Sequence, residues 1–472
     1  MNELKDVLNS DRSEFVAVYG RRRVGKTFMI RQAADNKFAF YYTAANNASK
    51  KEQLANFAFV MRNYFSDIQL PEFQNWYEAL HTLGQCIDSL PKKKNKIIFF
   101  DEMPWADSPK SGFLTAFENF WNVRCAFRND IKVVVCGSAT SWILNKIIHN
   151  IGGLYGRLTH VFKIEPFNLW ETQQYFKAYG YRFSQMQIAE IYMILGGIPY
   201  YFSLFDKSQS IALNIDRLFF SQNAPLRKEF EVLYASLYRN PSIHIEVINL
   251  LSKKGKGLTR QEMLDSLHFT SNGAFSKVLK ELEEGGFIRA YYPFEDSKAK
   301  KTVPKKNILY QLIDLFSLFY LRYCKEGDYN NDKFWSTNYS SSSINIWRGF
   351  AFETLGLWHI PQIKDALGIS GVGSRICAWT GKNEEGEKAQ IDLLIDRQDG
   401  MINICEMKWS KEDFVISKKY SSELNRKIEI FQETTKTKKV PVLTMITTNG
   451  VKLNQYRDSV QSVIVLSQLF KY

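Results

Sequence analysis

The chain lacks every spacing that would make its six cysteines a framework. Cys86, Cys125, Cys136, Cys324, Cys377 and Cys405 include no C-x-x-C pair and no other metal-ligand spacing. Free thiols buried in a reducing cytosol therefore fit better than disulfides or zinc. The opening residues Met-Asn-Glu-Leu-Lys hold no apolar signal region. No run is apolar enough for a membrane span either: the most lipid-like stretch, Ile308 to Cys324, is interrupted by Gln311, Asp314 and Arg322 and reads as a core strand and helix. A cytoplasmic location is expected. Hydrophobic residues make up 45% and aromatic residues 15%, so disorder is excluded as the general state. With 472 residues, about three domains are expected. Lysine and arginine exceed aspartate and glutamate by 62 to 49, and the net charge of +13 favours a polyanionic partner, nucleic acid first and an anionic membrane surface second.

The stretch that organises the rest is Gly20-Arg-Arg-Arg-Val-Gly-Lys-Thr27, a full G-x-x-x-x-G-K-[ST] match. Phe15 to Tyr19 before it reads as a buried parallel strand, and Phe28 to Ala34 after it continues as a helix. A triphosphate crowded against backbone requires glycine at positions 20 and 25, and it sits on the positive end of the following helix. Lys26 reaches the β and γ phosphates, and Thr27 offers its hydroxyl to Mg²⁺. The candidate nucleotide-binding residues are thus Gly20, Arg21, Arg22, Arg23, Val24, Gly25, Lys26 and Thr27. Arg21 to Arg23 stand between a phosphate contact and solvated side chains on the loop exterior, and the second account is preferred.

Phe38 to Tyr42 reads as a second strand, with helices at Lys50 to Phe65 and Trp76 to Leu90. Lys96-Ile-Ile-Phe-Phe-Asp101-Glu102 then has the Walker B pattern, an apolar strand delivering Asp101 to Mg²⁺ and Glu102 to polarise the attacking water. A helix at Phe113 to Arg128 leads to strand Ile131 to Cys136, which ends at Gly137-Ser138. Ser138 is placed like a sensor of the γ phosphate, or equally like a cap for the next helix. Arg157, on the Gly-containing loop before a fifth strand at His160 to Ile164, could complete a charge cage in cis or from a neighbouring subunit; it could also be a plain surface arginine. These strands and crossovers predict a parallel α/β sheet.

Together with Ile164-Glu-Pro-Phe-Asn-Leu-Trp-Glu171 and Leu195-Gly-Gly-Ile-Pro199, these motifs resemble the prokaryotic archaeal-type ATPase family, of the AAA+ class near the signal-transduction ATPases. The resemblance implies ATP hydrolysis with Asp101 on Mg²⁺, Glu102 as base, Ser138 as sensor and Arg157 as a finger. It also implies a helical lid, a winged helix and a nuclease-like C-terminal domain. The Gly-Arg-Glu element that such proteins carry ahead of the first strand is missing, so the preference for ATP over GTP is inferred from the family.

Downstream, Phe167 to about Glu231 reads as lid helices. Ile243 to Leu251, a capped helix opening at Thr259-Arg-Gln-Glu262, and Ser271 to Glu284 have winged-helix spacing. Strands Phe287 to Phe294 and Ile308 to Ile313 would form the wing around Lys298, Lys300, Lys301, Lys305 and Lys306. From Lys253 to Lys306 there are twelve Lys and Arg against seven Asp and Glu. Ser271, Asn272, Ser276, Lys277 and Lys280 could then face a DNA groove; a protein-docking role is the alternative, since Glu281, Glu283 and Glu284 would repel phosphate.

Asn330 to Ser343, with four consecutive serines, reads as a linker. After the helix Ile344 to Trp358, strands Ala389 to Asp396 and Met401 to Lys408 carry Asp392 and, fourteen positions on, Glu406-x-Lys408. Strand alternation is expected to put Asp392 and Asp396 on one face and Glu406 and Lys408 on one face. The pattern looks like the PD-(D/E)xK nuclease fold. By that resemblance Asp392 and Glu406 bind Mg²⁺, Lys408 stabilises charge and Glu353 adds an acid. A surface strand pair and an inactive fold retained for binding are the alternatives. The expected order is a P-loop core at 1–165, lid at 166–238, winged helix at 239–328, linker at 329–343 and an α/β restriction-endonuclease-like domain at 344–472. Expected partners are ATP, DNA and a protein partner, with assembly into an oligomer left open.

Overall fold

The computed structural model describes residues 1–91, 95–238, 240–255, 257–269, 273–294, 308–325 and 331–471. The chain divides into two compact units, Met1–Glu165 with 235–239, and Pro166–Tyr234 with Asn240–Tyr472.

In the first unit, continuous apolar runs make the three central strands buried, at residues 15–18, 97–100 and 133–136. β1 (Glu14–Gly20), β2 (Phe40–Thr43), β3 (Lys96–Asp101), β4 (Ile131–Gly137) and β5 (His160–Ile164) form one parallel sheet in the order β2-β3-β4-β1-β5. Because crossovers cover both faces of such a sheet, both faces must be apolar. Phe15, Ala17, Ile98, Phe100, Val133 and Val135 enter one core, and Val16, Val18, Ile97, Phe99, Val134 and Cys136 enter the other. The consequence for function is positional: β1, β3 and β4 all end on one edge, where residues 20 to 27, 101 to 102 and 138 lie.

The second unit holds an eight-stranded mixed sheet. Its strands are β6 (Leu258–Thr259), β7 (Ile288–Pro293), β8 (Leu309–Leu312), β9 (Ser374–Lys382), β10 (Lys388–Arg397), β11 (Met401–Lys408), β12 (Val440–Thr447) and β13 (Ser462–Val465), in the order β13-β12-β11-β10-β9-β7-β8-β6. Three helices precede and accompany the β7–β8 hairpin: Ser242–Ser252, Arg260–Leu267 with its Thr259 and Glu262 capping box, and Gly273–Glu284. β7 also pairs with β9, parallel, at Tyr292 and Cys377. The hairpin expected to form the wing is also built into the sheet of the C-terminal segment. Ser271, Asn272 and the wing lysines 298, 300, 301, 305 and 306 lie outside the described residues.

Two expectations change. The segment read as a linker contains the helix Phe334–Asn338 with Trp335 fully buried, its backbone N–H donating to Asp216 at 2.7 Å. Ser341 caps the helix Ser342–Trp358 by accepting from the Ile344 N–H at 3.3 Å. The serine run thus works as a helix start, because a hydroxyl that solvates a linker also satisfies an orphan amide. Asp392 and Asp396, expected on one face, are separated by a β-bulge in β10 between Ile391 and Leu394. The extra residue reverses the alternation beyond it. Asp396 is buried against Arg375 and Lys439, whereas Asp392 is exposed.

Two of the polar groups buried in the second unit, Glu190 and His359, are fully engaged. Arg348 donates to Glu190 at 3.1 and 2.6 Å, and the Tyr339 hydroxyl donates to the other carboxylate oxygen at 2.5 Å. His359 accepts from the Leu169 N–H at 3.0 Å through Nε2 while Nδ1 lies 2.8 Å from the Leu355 carbonyl, so the ring is a neutral Nδ1–H tautomer. Burial pushes its pKa down to about 4.

Candidate functional site

The P-loop is shaped by its two glycines. At Gly20, φ is 144° and a Cβ would stand 2.1 Å from the Ile164 carbonyl oxygen, so β1 can meet the end of β5 only without a side chain. Gly25, at φ 94°, is the left-handed residue before the helix Lys26–Ala33. Lys26 is buried; its ammonium donates to the carbonyls of Gly20 and Arg21 at 3.0 and 2.8 Å and to Ser138 Oγ at 3.0 Å. Val24 is buried in the loop. Arg21 is buried too, contrary to the solvated exterior preferred from the sequence, while Arg22 and Arg23 are half-buried and Arg23 has φ 69°.

Around this loop the ends of β3 and β4 converge. Thr27 donates its hydroxyl to Asp101 Oδ2 at 2.9 Å, and Tyr41 of β2 does so at 3.3 Å. Burial, and after it the charge of Glu102, push the Asp101 carboxyl above its ordinary range, with the Thr27 hydrogen bond opposing. Glu102 occupies the left-handed region at φ 47°, an unusual place for a non-glycine residue. Its carboxylate accepts from Ser138 Oγ at 2.7 Å and from the Ser138 N–H at 3.2 Å. A continuous chain results, in which Lys26 donates to Ser138 and Ser138 to Glu102. Arg157 is exposed and, among the described residues, its guanidinium makes no hydrogen bond or ion pair; the structure does not bring it into this cluster.

This arrangement suits a magnesium nucleotide. A glycine-lined cradle, a buried lysine and a hydroxyl–carboxylate pair at one strand edge are the donors and acceptors that a triphosphate and a hard oxygen-loving cation require. Tyr41 was not singled out in the sequence, because no short motif marks a residue that reaches Asp101 from the neighbouring strand.

The second cluster lines a cavity of about 700 Å³ in the C-terminal segment, with Glu353, Asp392, Glu406, Lys408, Arg426 and Lys427 among its walls. β10 and β11 pair only as far as Leu393 and Cys405, so Glu406 and Lys408 project where the strands part. Gly356 lets the helix Ser342–Trp358 approach β11 closely, since a Cβ there would stand 2.4 Å from Met407 Sδ. Burial, followed by Asp392, raises the Glu353 carboxyl to about 7, Lys408 opposing. Glu406 is already engaged: Lys427 pairs with it, the Tyr420 hydroxyl donates at 3.3 Å and Lys408 lies at 3.8 Å. Gln390 donates to Asp392. Among the described residues no group of three or more His, Cys, Asp or Glu side chains is gathered to hold a metal ion. Tyr420 and Lys427 were not foreseen; they sit on the helix Lys418–Thr435, which the D…ExK spacing does not include.

On the helix Gly273–Glu284, Lys277 and Lys280 are spent on Glu281 at 3.8 Å and Glu284 at 3.5 Å, and Ser276 accepts from Arg260 at 3.1 Å. Among the described residues no helix is long and apolar enough to cross a membrane.

Residues 1–205 match the family described as the ATPase domain predominantly from Archaea. An uncharacterised protein of Methanocaldococcus jannaschii is 24% identical over 442 residues, covering 91% of this chain and 90% of that protein. Among solved structures, the Walker-type ATPase of Pyrococcus abyssi aligns with a TM-score of 0.45 and 16% identity, over 68% of this chain and 94% of that one. The ORC2 protein of Aeropyrum pernix, in complexes with ADPNP and ADP, aligns with a TM-score of 0.39 and 13% identity, over 71% and 91%. These structural likenesses are weak, and the family match is confined to residues 1–205.

Proposed function

We propose that residues 1–165 are an AAA+ core that binds and hydrolyses ATP with Mg²⁺, and that a lid at 166–238 and a winged helix at 239–328 couple this cycle to DNA. The observation that carries the reading is the convergence of Lys26, Thr27, Asp101, Glu102 and Ser138 at one strand edge. Bound Mg²⁺-ATP would supply the γ phosphoryl group and a cation that withdraws charge from it. Thr27 and Asp101 would hold the cation, Lys26 would exchange its carbonyl contacts for phosphate oxygens, and Glu102 would take a proton from water. For that last step Glu102 must leave Ser138, which holds both its oxygens. Arg157, exposed on its loop, would serve as a finger to a neighbouring subunit's site. Steady-state phosphate release tests the reading: Lys26→Ala and Glu102→Gln should fall to background, with nucleotide binding retained in Glu102→Gln. Equal release by Glu102→Gln and the unsubstituted chain would remove Glu102 as base.

A second reading is a nucleotide-controlled switch with slow turnover and an inactive nuclease-like domain at 344–472. The engagement of Glu406 by Lys427, Lys408 and Tyr420 favours it, because an acid neutralised by two ammonium groups is a poor cation ligand. The active alternative has Asp392 and Glu406 holding Mg²⁺, with Lys408 and Glu353 assisting phosphodiester cleavage. Mn²⁺ calorimetry on the full chain, with the Asp392→Ala variant, separates them: heat lost in the variant together with plasmid nicking supports cleavage, and no heat with no nicking supports the switch.

A further inference from the structure

Between residues 167 and 217 lies a second cavity, of about 620 Å³, unrelated to the P-loop and to the acid-lined cavity. Three tyrosines stand in its wall. Tyr175 and Tyr179, four positions apart at the end of the helix Leu169–Ala178, lie against each other with ring centroids 4.6 Å apart and planes tilted by 34°. Tyr175 backs onto buried Phe202 at 5.7 Å, so the ring pair is anchored in the core at one end. At the other end Tyr179 is 54% exposed. Opposite, Tyr181 is fixed by its hydroxyl, which donates to the Phe205 carbonyl at 2.8 Å, and the Lys207 ammonium stands 5.3 Å from its ring centroid. Arg217 is held at the wall by the Leu204 carbonyl and by Asn214 Oδ1 at 3.0 Å. Asp206, the one acid in the lining, is occupied by the N–H and hydroxyl of Ser208 at 2.9 and 2.7 Å.

We propose that this pocket takes a base of a single-stranded nucleic acid against Tyr179 and Tyr175, with the adjoining phosphate on Lys207 and Arg217. The anchored ring pair ends in an exposed tyrosine ring, and a planar base is the group that can stack on such a ring. Two cations against one occupied carboxylate fit an anionic strand, as does the +13 charge of the chain. A cationic guest is disfavoured because Lys207 already stands over Tyr181. A duplex is disfavoured because its bases are stacked on one another and present no free face. The inference is independent of the ATPase and nuclease-like readings.

The test uses the full chain and a fluorescently labelled oligothymidylate of about twelve nucleotides, read by anisotropy. Tyr179→Ala should weaken binding about tenfold or more, Tyr179→Trp should retain it, and Lys207→Ala should lower the salt slope by about one. Affinity for ATP and for a duplex of equal length should not change in Tyr179→Ala. Unchanged oligonucleotide affinity in Tyr179→Ala, with a native circular-dichroism melt, overturns the proposal. So does a Tyr179-dependent NMR response to tetramethylammonium in the absence of oligonucleotide binding, which would make the pocket a cation cage.

Discussion

The P-loop cluster and the acid-lined cavity are both built at the ends of strands, yet they use charge in opposite ways. In the first, Lys26 is held by two backbone carbonyls and a serine hydroxyl, neutral partners that a phosphate can displace. In the second, Glu406 is held by the ammonium groups of Lys427 and Lys408, charged partners that a ligand must outcompete. The difference is one of readiness: an ion hydrogen-bonded only to dipoles retains most of its attraction for a counter-ion, whereas an ion in a salt bridge has already used it.

The sharpest way to break the comparison is at Lys26. Lys26→Ala should reduce phosphate release about 10³-fold, as expected for removal of a pre-positioned charge at a transferring phosphoryl group, while Lys427→Ala should leave it unchanged. A comparable loss in Lys427→Ala would show that the two sites are not independent.

Glu353 sharpens the other side. Its folded pKa of about 7 lies above the ordinary 4.5, so the folded state holds a proton that the unfolded state releases. Stability from this group is complete below pH 4.5 and is lost as pH rises through about 7. Glu353→Gln should therefore gain about 3 kcal/mol on the unsubstituted chain between those limits, measured as urea midpoints across pH. A parallel pH dependence in the two proteins would mean that Glu353 is not held in its acid form.

The smaller effects are structural. Gly356→Ala should cost about 1 kcal/mol, because the new methyl meets the thioether of Met407 at 2.4 Å and that flexible side chain can give way; thermal melting reads it. Lys280→Ala, removing the exposed ammonium that pairs with half-buried Glu284 at 3.5 Å, should change stability by about 0.3 kcal/mol. A loss of duplex affinity in the same variant would show that Lys280 serves DNA rather than its own helix.

Residues 20 to 27 could be read from the sequence because their geometry is local. One loop fixes where its glycines, lysine and threonine stand, and the apolar runs of β1, β3 and β4 place Asp101, Glu102 and Ser138 beside it. The same runs announce a parallel sheet with two covered faces. Asp392 and Asp396 could not be read in this way, because one inserted residue in β10 changes which face each takes and no residue between Ile391 and Leu394 signals the bulge. Likewise, four serines mark a polar stretch but not whether they solvate a linker or cap a helix; the burial of Trp335 decides that.

What the amino-acid sequence determined by itself was therefore the phosphate-binding loop, the strand that delivers Asp101 and Glu102, and the sheet that carries them. Only the tertiary structure decided that Ser138 bridges Lys26 and Glu102, that Lys427 and Tyr420 reach Glu406 from a helix outside the motif, and that Tyr179, Tyr181 and Lys207 share one pocket. Contacts within a turn or along a strand are fixed by backbone geometry over a few residues. Contacts between elements depend on how those elements pack, and a shift of one residue in register or one helical turn exchanges one partner for another.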